Sequence, residues 1–135
     1  MLTRLLALLA IALTGCQIMD AAGVPSPLVK PGALAGHVSI GPLTPVQRVG
    51  VPEPTVPPEV YAARQVIIYH SDGQKEVTRL KLDANGNYSV TLAPGQYVVN
   101  MARTGIGGAR DLPATVTITS NLTTTLDISV DTGIR

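Results

Sequence analysis

The chain has 135 residues, which is enough for one domain with a core of its own. Its 10 basic and 9 acidic side chains leave a net charge of +1, so the sequence carries no basic field and predicts no nucleic-acid partner. A single Cys excludes an intrachain disulfide and a Cys-based zinc site.

The first fifteen residues have the pattern of a secretory signal peptide. Arg4 is followed by nine apolar residues, 5–13. A membrane-spanning helix needs about 20 apolar residues, whereas the apolar region of a signal peptide needs only about 7 to 15. We therefore predict that residues 1–15 are a signal peptide that is removed from the exported protein.

The next four residues determine the expected location. The segment Leu13-Thr14-Gly15-Cys16 resembles the lipobox of bacterial lipoproteins. That resemblance implies a diacylglycerol on the Cys16 thiol and a further acyl chain, such as palmitate, on its amino group. The expected partner is then a membrane, reached through a lipid anchor in the cell envelope. Gln17, where lipoproteins retained in an inner membrane have Asp, favours the outer membrane in a host with two membranes.

A different interpretation makes residues 5–13 a buried helix and Cys16 a small core residue. The absence of a polar face at the helical period disfavours it. Residues 16–34 follow as the lipidated Cys and a flexible tether, in which Pro25, Pro27 and Pro31 favour an extended chain. The alternative for this segment is a first edge strand at Leu28 and Val29.

The domain, residues 35–135, shows short runs of alternating apolar and polar residues with no helical period. Seven runs in about 100 residues predict an all-β sandwich. The predicted strands cover residues 36–40, 64–70, 76–82, 87–92, 96–103, 114–119 and 124–130.

One segment, residues 83–97, contains a spaced set of turn and apolar residues: Asp83, Gly86, Tyr88, Leu92, Pro94, Gly95 and Tyr97. It resembles the hallmark of the carboxypeptidase regulatory-like domain, with every hallmark position filled, and Gly36-His37-Val38 resembles that family's opening strand. The resemblance implies a seven-stranded transthyretin-like (prealbumin-like) β-sandwich. We expect its turns to close hairpins, the first of them between the third and fourth strands.

Residues 41–63 form a long connection that contains six of the 11 prolines. Loops of this length without regular structure are uncommon in compact domains and are often functional. Our hypothesis is an ordered, extended flap that binds a partner; the alternative is a crossover that seals a sheet edge. The residues proposed for partner contact are Pro45, Arg48, Pro54, Pro58 and Tyr61.

Residues for catalysis or metal binding are sparse. His37 and His70 have no partner at a metal-ligand spacing, and we expect both to face solvent from strands. Asp83, Asn85 and Asn87 alternate as half of a calcium loop would, but no bidentate Glu follows. The sequence therefore predicts no enzyme, no metal and no cofactor.

Two functions remain at this stage. The favoured one is a non-catalytic cell-envelope lipoprotein whose sandwich is an interaction or structural module for an envelope protein. The alternative is a lipid-anchored lipoprotein that binds carbohydrate or peptide, for which a concave patch around Tyr61, Tyr69 and Arg64 would be needed.

Overall fold

The structure is a computed structural model and describes residues 28–46, 48–102 and 107–135. The predicted signal peptide, Cys16 and most of the predicted tether lie outside the described residues. Within those residues the chain forms nine strands and one short helix. In chain order these are β1 Gly32–Gly41, α1 Pro58–Ala62, β2 Gln65–His70, β3 Glu76–Lys81, β4 Asn87–Leu92, β5 Gly95–Met101, β6 Gly108–Ala109, β7 Ala114–Ile118, β8 Thr123–Thr125 and β9 Ile128–Asp131.

The strands form two sheets that face each other. One sheet has the order β4-β1-β9-β6, with β8 also pairing with β1, and the other has the order β3-β2-β5-β7. Both β8 and β9 run parallel to β1. Because β8 pairs with residues 33–35 of β1 and β9 pairs with residues 38–41, the two short strands together occupy one place in the first sheet. The predicted all-β sandwich is confirmed, and each of the seven predicted strands has a counterpart.

The seventh predicted strand, residues 124–130, is divided between β8 and β9. The division has a local cause at Asp127, whose Oδ1 accepts a hydrogen bond from the backbone N–H of His37 at 2.9 Å. This side chain takes the donor that a continuous strand would pair with its own backbone. The two-residue strand β6 is additional to the prediction.

The first strand begins earlier than predicted. It starts at Gly32 rather than Gly36, so residues 32–34, which the sequence assigned to the tether, lie in a sheet. The turn before β8 fixes this start, because Leu122 O accepts from Ala33 N at 2.9 Å and Asn121 N donates to Pro31 O at 3.0 Å. The alternative of an edge strand at residues 28–29 is wrong, since those residues form no strand and β1 lies inside its sheet.

The core fills the space between the sheets with aliphatic side chains and three tyrosines. Because the chain has no Phe or Trp, the rings of Tyr61, Tyr88 and Tyr97 are its large aromatic volumes, and all three are buried. The fully buried aliphatic residues include Leu34, Val38, Val66, Ile68, Val99, Ile118, Ile128 and Val130. In the sixth and seventh predicted strands, the buried Ile118, Ile128 and Val130 are apolar residues of the alternating pattern.

The hallmark segment adopts a different connection from the one predicted. The strands on either side of the Asp83 turn, β3 and β4, belong to different sheets, and so do β4 and β5 around Gly95. The two turns therefore carry the chain from sheet to sheet and close no hairpin. The glycines of both turns have positive φ, +81° at Gly86 and +150° at Gly95.

Hydrogen bonds from the hallmark side chains hold these crossings. The Asp83 Oδ1 accepts from the backbone N–H groups of Asn87 at 2.8 Å and Asn85 at 2.9 Å. These bonds, that of Asn87 foremost, hold the pKa of the Asp83 carboxyl below its ordinary value. The hydroxyl of Tyr88 donates to Leu126 O at 2.5 Å, and that of Tyr97 donates to Ala93 O at 2.7 Å.

The buried hydroxyl of Tyr88 predicts a change of stability at high pH. Burial, followed by the charge of Asp127, raises the pKa of Tyr88 to about 12. A folded-state pKa above the unfolded value of about 10 means that Tyr88 stabilises the fold below pH 10, and that this contribution is lost as pH rises toward 12. Urea unfolding at pH 8 to 12 should show a steeper loss for the wild type than for Tyr88→Phe. Parallel curves would contradict this assignment.

None of the described residues belongs to a membrane-spanning helix. The helix α1 has five residues, and no described helix has the length and apolar character needed to cross a bilayer.

Candidate interaction surface

The connection between β1 and β2 has two parts that differ in burial. Its ends belong to the core, because Leu43, Val56 and Val60 pack against buried residues of both sheets. Thr132 fixes its beginning, since its N–H donates to Gly41 O at 3.0 Å and its hydroxyl to Pro42 O at 2.5 Å. The middle of the connection is exposed. The segment is therefore a structural crossover at its ends and a free surface in between.

The helix α1 explains why Tyr61 is not part of that surface. Tyr61 is 6% exposed, and its ring lies directly over Gly86, where any side-chain carbon would collide with Tyr61 Cε1. Because the core has no Phe or Trp, burying the Tyr61 ring there contributes more to folding stability than leaving the ring exposed on the loop would. The prediction that Tyr61 contacts a partner is wrong, whereas the other four residues proposed for contact are exposed: Pro45, Arg48, Pro54 and Pro58.

The exposed middle carries apolar side chains at its tip. Val49 is fully exposed, and Val46 and Val51 are 72% and 62% exposed. A tight turn presents Val49 and Val51, in which Val51 N donates to Arg48 O at 3.1 Å and Gly50 has φ of +84°. Clustered exposed apolar residues are typical of contact surfaces rather than of ordinary monomer surface.

A groove of about 570 Å³ runs beneath this tip. Arg48 and Glu53 contribute opposite charges to its lining, and valines and prolines contribute apolar surface. The groove can therefore hold an apolar chain segment with a polar group at either side, and the lining offers no nucleophile paired with a base. Its lining residues are Thr44, Val46, Arg48, Val49, Val51, Pro52, Glu53 and Pro54.

The position of this surface in the domain follows from β1. The chain enters the sandwich at Gly32 and reaches the connection at Gly41, ten residues later. At about 3.3 Å for each residue, the two ends of β1 are about 30 Å apart. The connection therefore starts at the opposite end of the sandwich from the point where the N-terminal segment enters it. Glu53, two residues after Val51, still lies beside Gly41, so the exposed valines are held at this end.

The patch required for carbohydrate or peptide binding is not formed. Tyr61 and Arg64 are 6% and 7% exposed, and Tyr69 is half-buried in β2. Arg64 instead lines a second cleft, of about 490 Å³, with Asn100, Leu112 and other residues. The sequence did not predict this cleft because its walls come from Arg64 just before β2, from β5, β6 and β9, and from the segment before β7, which are distant in the chain.

The other polar residues singled out in the sequence either face solvent from strands or bond to the backbone of a turn. His37 and His70 are exposed on strands of different sheets, and His37 Nε2 lies 3.0 Å from Asn85 O. Asp83 Oδ1 already accepts two backbone N–H groups, so this carboxylate has a structural role in its turn. Within the three described ranges, no group of three or more His, Cys, Asp or Glu side chains could hold a metal ion.

Comparisons with known proteins support the fold and leave the family open. No protein-family model matches the chain, and no curated protein matches its sequence. Among solved structures, the minor pilin GBS52 of Streptococcus agalactiae is 18% identical over 77% of this chain and 45% of its own, with a TM-score of 0.57. At this identity the likeness shows a shared β-sandwich fold and nothing of the activity.

Two further solved structures are more distant. A DUF3823 family protein from Parabacteroides merdae is 19% identical over 76% of this chain and 46% of its own, with a TM-score of 0.45. BcpA, the major pilin subunit of Bacillus cereus, is 11% identical over 77% of this chain and 31% of its own, with a TM-score of 0.46. This chain thus spans less than half the length of each of the three.

Proposed function

We propose that this chain is a non-catalytic lipoprotein of the cell envelope, anchored through lipid on Cys16, whose sandwich presents the loop 42–57 to a partner protein. The observation that carries the proposal is the separation of the exposed valines from the end where the chain enters the sandwich. An anchor in front of β1 would leave the loop end of the domain accessible.

The N-terminal sequence supports the anchoring half of the proposal. Fifteen residues separate Cys16 from Gly32, and at about 3.3 Å each they can extend to about 50 Å. Two or three acyl chains would make release from a membrane slow, because each buried methylene contributes about 0.8 kcal/mol. The near-neutral charge of the chain gives no electrostatic attachment, so the lipid would have to supply it.

The hallmark side chains support the assignment of the domain. Tyr88, Leu92 and Tyr97 are buried, and the turns around Gly86 and Gly95 join the two sheets. These are structural tasks, as expected for a carboxypeptidase regulatory-like domain that serves as an interaction module rather than an enzyme. We include this family assignment in the proposal.

Site-directed photo-cross-linking in a bacterial host tests both halves. A photoreactive residue at position 49, on the loop tip, should give a discrete adduct with an envelope protein, and an alkyne fatty acid should label the same chain. The matched control is the same residue at Gln74, which is also exposed but lies in the turn between β2 and β3. Cys16→Ser should abolish the lipid label and weaken the adduct.

The outcomes separate the two halves of the proposal. A lipid label that persists in Cys16→Ser would exclude this residue as the anchor. Equal adducts from positions 49 and 74 would exclude the loop as the specific contact surface, even with the anchor in place.

A further inference from the structure

The outer edge of β4 has free backbone groups in a regular array. Within the described residues β4 pairs only with β1, and Val38 N donates to Gly86 O at 2.8 Å in the same register. Antiparallel pairs alternate, so Tyr88, Val90 and Leu92 bond to β1. The N–H and C=O groups of Ser89 and Thr91 therefore point outward, and both residues are exposed.

The array is bounded at one end. The next outward-facing residue is Asn87, whose N–H donates to Asp83 Oδ1 at 2.8 Å and whose C=O accepts from Asp83 N at 3.0 Å. Both of its backbone groups are thus already bonded. The edge offers two consecutive outward residues, each with one donor and one acceptor.

Four other strands end the sheets, β3, β6, β7 and β8, and each is either protected against pairing or very short. β3 has a register irregularity opposite Ile68 and Tyr69, an ion pair between Arg79 and Glu76 at 2.9 Å, and Lys81. Bulges and charged side chains are the usual means by which proteins block an edge strand. By contrast, β4 has no charged side chain, no proline and no irregularity in its pairing.

The edges of β7 and β6 are blocked in other ways. On β7 the outward carbonyl of Thr117 accepts from the hydroxyl of Thr124 at 2.9 Å, and the carbonyl of Thr119 just beyond accepts from Leu122 N at 3.2 Å. β6 has only two residues and leaves little edge to pair. β8 also ends the first sheet, but it has only three residues. Among the described strands that end a sheet, β4 therefore has the longest edge without protection.

The chain's own N-terminal segment leaves the sandwich on the other side of β1. Residues 30 and 31 are bonded to Ser120 and Asn121, in the turn that leads into β8. In the sheet, β8 and β4 flank β1 on opposite sides. The described part of this segment is thus directed away from the β4 edge.

We propose that β4 pairs antiparallel with β4 of a second copy of this chain, extending the sheet across a two-fold axis at Val90. In this register Ser89 of each copy bonds to Thr91 of the other, which makes four backbone hydrogen bonds. The array is its own complement, as a two-fold interface requires. Because β4 has no charged side chain, pairing it with a second β4 places no like charges opposite each other.

The proposed dimer is compatible with anchoring but does not depend on it. Antiparallel pairing puts the N-terminal ends of the two β1 strands at opposite ends of the extended sheet. A fifteen-residue connection that can reach about 50 Å exceeds the roughly 30 Å length of β1, so two anchors could still reach one membrane surface. Confinement to a membrane would raise the effective concentration for this pairing.

Disulfide trapping and sedimentation test the pairing directly. A chain that starts at residue 17 retains every described element and has no Cys, so an introduced Cys is the only thiol that can form a disulfide. Val90→Cys would face itself across the axis, in a pair whose Cα atoms are about 4.5 Å apart and can form a disulfide. It should form a covalent dimer under mild oxidation, whereas Thr117→Cys, the control on the β7 edge, should not.

A second pair of variants tests the hydrogen bonds. Ser89→Pro removes a donor that points away from β1, and it should raise the dimer dissociation constant about tenfold or more while the domain stays folded. If this variant unfolds, Ser89→Lys places like charges on both strands and should weaken the dimer equally. A wild-type chain that is monomeric up to about 1 mM, or a dimer that neither variant weakens, overturns the proposal, whatever the loop 42–57 is found to bind.

Discussion

Gly86→Ala should lower the free energy of unfolding by about 2 to 5 kcal/mol. The residue has φ of +81°, where a side chain costs about 1 to 2 kcal/mol. The new Cβ would also lie 2.8 Å from Val38 O and collide with the Tyr61 ring. Overpacking of this kind costs a further 1 to 3 kcal/mol or so. Because Gly86 is bonded to both Val38 and Asp83, its backbone has little room to move away.

Gly73→Ala is the matched control for this prediction. Its φ of +69° imposes a similar backbone cost, but the nearest atoms to a new Cβ are the methyl groups of Val98 at 3.9 and 4.0 Å. We expect a loss of about 1 to 2 kcal/mol in urea denaturation. Equal losses from the two variants would show that the contact between Tyr61 and the Gly86 turn contributes nothing.

Leu34→Ala should cost about 2 to 5 kcal/mol of unfolding free energy. Leu34 is 0% exposed and lies between the sheets, so truncation removes apolar contact and leaves a cavity. The sequence alone placed this residue in a flexible tether, where the same change would cost almost nothing. Denaturant unfolding therefore decides between a strand that begins at Gly32 and one that begins after residue 34.

Leu28→Ala provides the comparison for Leu34. Leu28 has the same side chain and lies six residues earlier, but it is 96% exposed. Its truncation should change the free energy of unfolding by no more than about 0.5 kcal/mol. If Leu34→Ala is as mild as Leu28→Ala, then β1 does not hold its first residues in the core.

The strands were predictable because their signal is local. Alternation in residues 114–119 and 124–130 fixes which side chains face inward, and Val116, Ile118, Ile128 and Val130 are indeed buried. The left-handed glycine of the Asp83 turn follows equally from its neighbours in the sequence. Each of these features depends on residues within a few positions of one another.

The features that were missed depend on distant residues. The start of β1 is set by Leu122 and Asn121, about 90 residues later, and no pattern in residues 32–34 reveals those bonds. The Asp83 turn has the composition of a hairpin, but whether its strands share a sheet is decided by the packing of the whole sandwich. Tyr61 looked free in a proline-rich loop because the five-residue helix that buries it has too few residues for a periodic signal.

The pairing of the first strand with the last has a consequence for how the chain is made. β1 lies beside β8 and β9, so a polypeptide released from its N-terminus lacks this neighbour until residues 123–131 have emerged. Contacts this far apart in sequence form slowly, because a long stretch must be brought together before they contribute. The first sheet can therefore be completed only after residues 123–131 are available, although the second sheet contains none of them.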